Sequence, residues 1–155
     1  MPTYKSYCWS LGTTSFRMVE FNRKIEKQLE FLRDFWANPA FADQQWSENE
    51  PVQIAYYEFL KENGFIEGEA PRKAKDAREK TSGLVDLGLI NNERRLTEAG
   101  TALLQIALTA NFNTNNLLQI PADSFLYLKQ LLKVHSPLNS GYVRPYIILI
   151  MALNR

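Results

Sequence analysis

Apolar residues recur at steps of three and four along most of the chain, which is the spacing of one face of an α-helix. The clearest stripe lies within residues 19–37 and consists of Ile25, Leu29, Leu32 and Trp36. The same spacing predicts further helices over 48–63, 70–87, 98–108, 123–135 and 146–153. The pattern therefore predicts a mainly α-helical fold.

Residues with capping chemistry stand at the ends of several of these stretches. Ser47 precedes Glu50 by three residues, as in a capping box that opens the second helix. Gly64 is placed to end that helix, because glycine adopts the left-handed conformation that follows many helices. Thr97 is the expected cap of the fourth helix, and Asp123 or Ser124 of the fifth. These residues set the expected helix boundaries.

The third helix has small residues on one face and charged residues on the other. Its predicted inner face consists of Ala70, Ala74, Ala77, Thr81 and Leu84. Pro71 suits a first turn, because its missing N–H would have no partner there. Gly88 suits the position after the last turn. A helix with so small an inner face can lie close to its neighbours.

Residues 87–100 predict a short hairpin followed by a capped helix. Two predicted short strands, 87–90 and 96–100, flank the polar tip 91–95, and asparagines at the tip tolerate a tight turn. The order helix, hairpin, helix is that of a winged helix-turn-helix. The predicted fold is thus a helical bundle with a small two-stranded β wing and extra N- and C-terminal helices.

The length favours one domain over residues 1–155, with the winged-helix core at about 47–110 and a helical extension at about 117–155. The last predicted helix is apolar on nearly every side, and such a helix requires cover on every side. We therefore expect the chain to be part of a longer protein and this helix to pack on further parts of it.

The outer face of the third helix is the main candidate for DNA contact. Arg72, Asp76 and Glu79 are the predicted base-reading residues, because arginine pairs with guanine and a carboxylate accepts from cytosine. Gly83 is placed on the same face. The alternative is a solvated face with ion pairs such as Lys75 with Glu79 and Arg72 with Asp76.

Cations beside that face, and two other segments, are candidates for phosphate contact. The candidates on the third helix are Lys73, Lys75, Arg78 and Lys80. Arg94 and Arg95 lie at or beside the hairpin tip, where a wing meets the DNA backbone. Near the N-terminus the candidates are Thr13, Thr14, Ser15 and Arg17, although this stretch could equally be a turn that caps the first helix.

The composition limits the kinds of functional site that we expect in this chain. The net charge is +1, so any DNA-binding surface must be a local patch. With one cysteine, Cys8, and one histidine, His135, neither a structural zinc site nor a Ser–His or Cys–His catalytic site is expected. The acids lie on helices or caps, so no cofactor, metal site, catalytic residue or small-molecule substrate is expected in this chain. The sequence has no signal peptide and no membrane span, which predicts a cytoplasmic protein.

Several segments resemble the AlwI-type restriction endonucleases. The opening motif of that family is similar to residues 9–17, Trp-Ser-Leu-Gly-Thr-Thr-Ser-Phe-Arg. Asp76 and Arg78, then the segments 87–90, 96–100, 120–133 and 143–145, follow in the order that the family shows. The resemblance covers most of the chain.

The resemblance implies the N-terminal recognition domain of a type IIS enzyme. Such a domain binds a short asymmetric site in double-stranded DNA, and a separate Mg²⁺-dependent domain, which these residues do not include, cuts at a fixed distance. A transcriptional regulator or a protein-interaction module is the alternative, because winged helices serve both.

Overall fold

The computed structural model describes residues 21–138 and 141–154. In this part the helices are α1 (Phe21–Ala37), α2 (Glu50–Glu62), α3 (Lys73–Asp86), α4 (Glu98–Thr109), α5 (Ala122–Lys133) and α6 (Pro145–Leu153). Two short strands, β1 (Ser136–Leu138) and β2 (Gly141–Val143), pair antiparallel with Pro137 opposite Tyr142. The prediction of a mainly helical chain is confirmed. None of these helices is both long and apolar enough to cross a membrane.

The core lies between α1, α2, α3 and α4, with Tyr127 of α5 at its edge. The α1 stripe is buried as the spacing predicts, and it meets an aromatic cluster contributed by the connector and by α2. Phe35 stacks on Phe41 with ring centroids 4.5 Å apart, and Tyr56 meets both Phe35 and Trp46 edge to face. The core therefore combines aromatic rings from residues 31–65 with aliphatic side chains from all four helices.

Helix α2 begins two residues later than the capping-box pattern predicts. Its cap is Asn49, whose side-chain oxygen accepts from the Val52 N–H at 3.4 Å, whereas Ser47 hydrogen-bonds to a distant carboxylate, that of Glu93. The predicted end at Gly64 is confirmed, because this residue has a φ of +70° and the Phe65 N–H donates to the Leu60 carbonyl at 2.9 Å.

Helix α3 is shorter at its start than predicted. Arg72 is its N-cap residue, and Ala70 and Pro71 precede the helix. The Ala70 N–H donates to the Tyr57 hydroxyl at 2.8 Å, which holds this residue on α2 instead of in a helical turn. Gly83, predicted on the outer face, is buried, because the helix is rotated towards α1 and α2 by its packing.

The predicted wing is not confirmed. Between residues 87 and 100 the chain forms a single antiparallel bridge, Ile90 with Leu96, instead of two paired strands. The Leu89 N–H still bonds the Leu84 carbonyl at the end of α3, and the next helix starts after Thr97. The Thr97 N–H donates to the Leu89 carbonyl at 3.0 Å and the Asn91 N–H to the Arg95 carbonyl at 2.9 Å, so the segment folds back on itself at this one bridge without forming two strands.

The turn 91–95 instead joins distant parts of the fold, and Glu93 is central to it. The carboxylate of this residue accepts from the backbone N–H groups of Trp46 and Ser47 and from the Ser47 hydroxyl. The Trp36 indole N–H donates to the Arg94 carbonyl at 2.9 Å. The turn therefore fastens the connector between α1 and α2 to the start of α4.

Helix α4 begins with the predicted threonine cap. The Thr97 hydroxyl accepts from the Gly100 N–H at 3.2 Å and donates to the Gly88 carbonyl at 2.7 Å. Gly100 is buried against the Leu89 carbonyl, and a Cβ added there would lie only 2.0 Å from that oxygen. Position 100 therefore accepts only glycine.

Helix α5 begins at Ala122 after Pro121, and no side chain caps it. The predicted caps, Asp123 and Ser124, lie inside the first turn, and Asp123 is buried. The proline accounts for this start, because its fixed φ suits the residue next to a helix and the Phe125 N–H bonds its carbonyl at 2.9 Å.

Replacing Gly100 with alanine tests the contact between α4 and Leu89. We expect Gly100→Ala to lower the free energy of unfolding by about 3 kcal/mol, because backbone atoms must move to admit the methyl group. The control is Gly64→Ala, where φ is +70° but nothing lies within 4 Å of the added Cβ, so only backbone strain of about 1–2 kcal/mol is expected. Urea unfolding followed by circular dichroism measures both, and equal losses would contradict the contact.

Replacing Glu93 with glutamine tests the turn through its pH dependence. Hydrogen bonds from Ser47 and Trp46 lower the pKa of Glu93 from its usual 4.5. A lowered pKa stabilises the fold above the unfolded-state pKa, and this stabilisation is lost as pH falls through the folded-state value. We expect Glu93→Gln to cost about 1 kcal/mol at pH 7 and progressively less at acid pH, as measured by urea unfolding at several pH values.

The control for this pH series is Glu67→Gln, which changes an exposed glutamate in the loop between α2 and α3. It should alter stability little at any pH. A Glu93→Gln loss that stays constant down to pH 2 would show that the charge of this carboxylate does not support the turn.

Candidate nucleic-acid interface

The outward face of α3 is defined by the burial of its inner residues. Ala74, Ala77 and Thr81 are buried, and the Gln28 side chain of α1 donates to the Lys80 carbonyl at 2.8 Å from one flank. The exposed charged residues of the helix and its cap are Arg72, Lys75, Arg78, Glu79 and Asp86. Their spacing places Lys75 and Glu79 at the middle of the exposed face, with Arg72 at its start.

Ion pairs one turn apart run along this face. The Lys75 ammonium lies 3.4 Å from the Glu79 carboxylate, as the solvated-face alternative predicts. Asp76 pairs with Lys80 at 3.7 Å, whereas the alternative paired it with Arg72. Asp76 and Lys80 are both half-buried and lie on the flank. Asp76, predicted to read bases, therefore lies on the flank, and Lys75, predicted to contact phosphate, lies at the middle of the exposed face.

Lys73 is engaged by two carboxylates. Its ammonium lies 2.6 Å from Glu58 on α2 and 2.7 Å from Glu69 in the preceding loop. The hydrogen bonds to Glu58 and Glu69 raise the pKa of Lys73 above its usual range, and bonds from Lys61 and Lys73 lower that of Glu69 to about 2. Lys73 therefore ties the start of α3 to α2 and offers an approaching phosphate little net charge.

Arg78 lies on the other flank, next to α2. Its guanidinium donates to the Gln53 side-chain oxygen, and the Gln53 amide donates in turn to the Trp46 carbonyl at 2.8 Å. A shallow groove of about 490 Å³ runs between the start of α2 and the start of α3, where Glu50 and Ile54 face Arg72. Sequence patterns did not identify Glu50 and Ile54 as part of this site, because they come from another helix and only packing brings them beside α3.

Arg94 turns inward from the tip of the turn. This residue has a φ of +58°, its Nε donates to the Thr81 hydroxyl at 2.9 Å, and its guanidinium lies over the Trp46 ring at 5.4 Å. Burial lowers the pKa of Arg94, and the nearby carboxylates of Glu93 and Asp86 oppose that shift. The Arg94 side chain was predicted to lie on the surface of a wing, whereas in the structure it joins the turn to α3.

Arg95 also contacts the protein instead of projecting from it. Its guanidinium stacks on the Trp36 ring at 4.3 Å and donates to the backbone carbonyls of Ala42, at 2.6 Å, and Gln44, at 3.1 Å. These carbonyls belong to the connector between α1 and α2. The expected cationic wing tip is thus absent from this turn, since both arginines satisfy buried or half-buried groups.

The opening-loop candidates Thr13, Thr14, Ser15 and Arg17 lie outside the described residues. In the described part of the chain, no three His, Cys, Asp or Glu side chains are grouped so that they could hold a metal ion. The positions that the structure brings together are therefore those of α3 and the start of α2.

No protein-family model matches the chain, no curated protein matches it, and no solved structure matches it.

Proposed function

We propose that the chain recognises a specific sequence in double-stranded DNA through the outward face of α3. In this proposal it is the N-terminal recognition domain of a cytoplasmic type IIS restriction endonuclease of the AlwI type, in which a separate Mg²⁺-dependent domain cuts. The single turn after α3 takes the place of a full wing in a reduced winged helix-turn-helix.

The observation that carries the proposal is the concentration of charge on α3. Residues 72–80 contain five cations and two carboxylates, and a net charge of +2 remains when Lys73, which Glu58 and Glu69 hold, is left out, whereas the whole chain has +1. A local field of this sign attracts a polyanion without a high overall charge. The mixed signs at the centre of the face favour reading of bases over phosphate contact alone, because a phosphate repels a carboxylate.

The structure changes the roles that we assign on this helix. Arg72, Lys75 and Glu79 run along the middle of the exposed face, so they are the residues we propose at base edges. Arg78 and Lys80 lie on opposite flanks and suit the two phosphate strands that border a major groove. We retain Asp76 as the partner that holds Lys80 in place.

The remaining cations take supporting roles in the proposal. Lys73, Arg94 and Arg95 position α3 and the turn, because each is held by contacts within the protein. A substitution at any of them should therefore act on stability before it acts on DNA affinity.

Glu79→Ala separates base reading from phosphate contact. If Glu79 accepts a hydrogen bond from a base, its loss should weaken binding to the selected site by about 1–3 kcal/mol and leave scrambled DNA unaffected. The site is first obtained by selection from random duplexes with the 155-residue chain. Fluorescence anisotropy on the selected and a scrambled duplex, at two salt concentrations, then measures the change.

The matched control is Glu62→Ala. Glu62 is the last residue of α2 and lies about 18 Å along that helix from Glu50, which lines the groove beside α3. It should leave both affinities unchanged. Tighter binding of Glu79→Ala to every duplex would instead mean that the residue only repels phosphate. A selection that enriches no sequence would overturn the proposed function itself.

Lys80→Ala tests the phosphate role. Its removal should weaken binding to the selected and scrambled duplexes alike and lower the slope of log affinity against log salt by about one. The matched control is Lys24→Ala, an exposed lysine of α1. A loss confined to the selected duplex would instead assign Lys80 to base reading.

A further inference from the structure

A row of exposed polar side chains runs from the end of α5 onto the hairpin of β1 and β2. Lys129 and Lys133 lie one helical turn apart on α5, and both are exposed. His135 follows, and its ring meets the Tyr142 ring edge to face with centroids 5.4 Å apart. The Arg144 guanidinium lies 5.6 Å from the centre of the ring of this tyrosine, which is 61% exposed. We call these five residues the hairpin patch.

Charge is distributed unevenly along the chain, and the hairpin patch lies in the positive part. Residues 99–155 contain four cations and one acidic residue, a net charge of +3. Residues 1–98 contain 14 cations and 16 acidic residues, a net charge of −2. The one acidic residue of the positive part, Asp123, is only 8% exposed. A basic surface confined to one part of a nearly neutral chain is typical of nucleic-acid binding.

The cations of the hairpin patch are available to a partner. In the part of the chain that the structure describes, no carboxylate forms an ion pair with Lys129, Lys133 or Arg144. The lysines of α3, by contrast, each pair with at least one carboxylate. A partner that supplies anions therefore gains from the charges of the patch without displacing an ion pair.

We propose that the hairpin patch binds the phosphate backbone of double-stranded DNA beyond the base pairs that α3 reads. Lysine, arginine, histidine and tyrosine side chains all donate hydrogen bonds to phosphate oxygens. The inference rests on the proposed function in one respect, which is the choice of duplex DNA over other polyanions.

The spacing of the donors also favours a duplex over an acidic segment of protein. Lys129 and Lys133 are about 6 Å apart along the axis of α5. Each strand of a duplex carries one phosphate per about 3.4 Å of its axis, so a strand that runs along the row presents a phosphate to every donor in turn. The patch therefore suits a regular row of anions.

Two duplexes that carry the selected site test the hairpin patch. One ends at the site, and the other extends it by about 20 base pairs, two helical turns, on each side. Fluorescence anisotropy of the 155-residue chain should show tighter binding to the longer duplex. On that duplex, Lys133→Gln and Arg144→Gln should each lower the slope of log affinity against log salt by about one, and both should leave binding to the short duplex unchanged.

The matched control is Lys24→Gln, which removes the same charge from an exposed position on α1. An equal change in all three variants would overturn the proposal, since it would reflect only the net charge of the chain. Unchanged binding of both patch variants to the longer duplex would also overturn it, and would leave an acidic protein segment as the partner. Circular dichroism confirms that each variant is folded.

Failure of the patch and failure of base reading by α3 give different results. If the selection enriches no sequence, the three variants are measured on a long duplex of random sequence. A lower salt slope there for Lys133→Gln and Arg144→Gln, but not for Lys24→Gln, would uphold the patch although α3 reads no bases. If the selection succeeds and both patch variants bind the longer duplex as the unchanged chain does, only the patch is wrong.

Discussion

The contacts of the turn 91–95 hold this fold together. Three of its residues, Glu93, Arg94 and Arg95, bind the indole of Trp36 in α1, the backbone at 42–47 in the connector and the Thr81 hydroxyl in α3. Helix α4 starts three residues later, so α1, α3, α4 and the connector that leads to α2 meet at this point. The bonds to Trp36, Trp46, Thr81 and Ala42 are partly shielded from water, where a missing partner costs more than it does on the surface.

Because the turn contacts the protein itself, it leaves the outward face of α3 as the candidate surface for nucleic acid. Arg94 and Arg95 are the cations that a wing would present to DNA, yet both are held by aromatic rings and by hydrogen-bond acceptors of the protein itself. Between the turn and α3, any nucleic-acid contact is then left to α3, whose cations are spread along one exposed face. In the proposed function, the turn supports the reading helix and does not itself contact the duplex.

The same helix shows how ion pairs and recognition can coexist. Lys75 with Glu79, and Asp76 with Lys80, are exposed or half-exposed pairs at 3.4 and 3.7 Å. Pairs of this kind contribute little to stability and are easily exchanged for other partners. Lys73 differs, because two carboxylates hold its ammonium and a phosphate would have to displace both. The distinction follows from packing against α2 and not from residue type.

Features that depend on neighbours in the chain could be predicted from the sequence alone. The α1 stripe, the Thr97 cap and the glycine end of α2 are of this kind, because spacing and capping act over a few residues. Other features depend on contacts with residues up to 58 positions away, such as Trp36 with Arg94. These features are the rotation of α3, the absence of a two-stranded wing, and the inward orientation of the Arg94 and Arg95 side chains. Only the tertiary structure decides these features. A side chain at a turn points towards the aromatic rings and carbonyls that it can contact, and these belong to residues far away in the sequence, so no local pattern predicts where they lie.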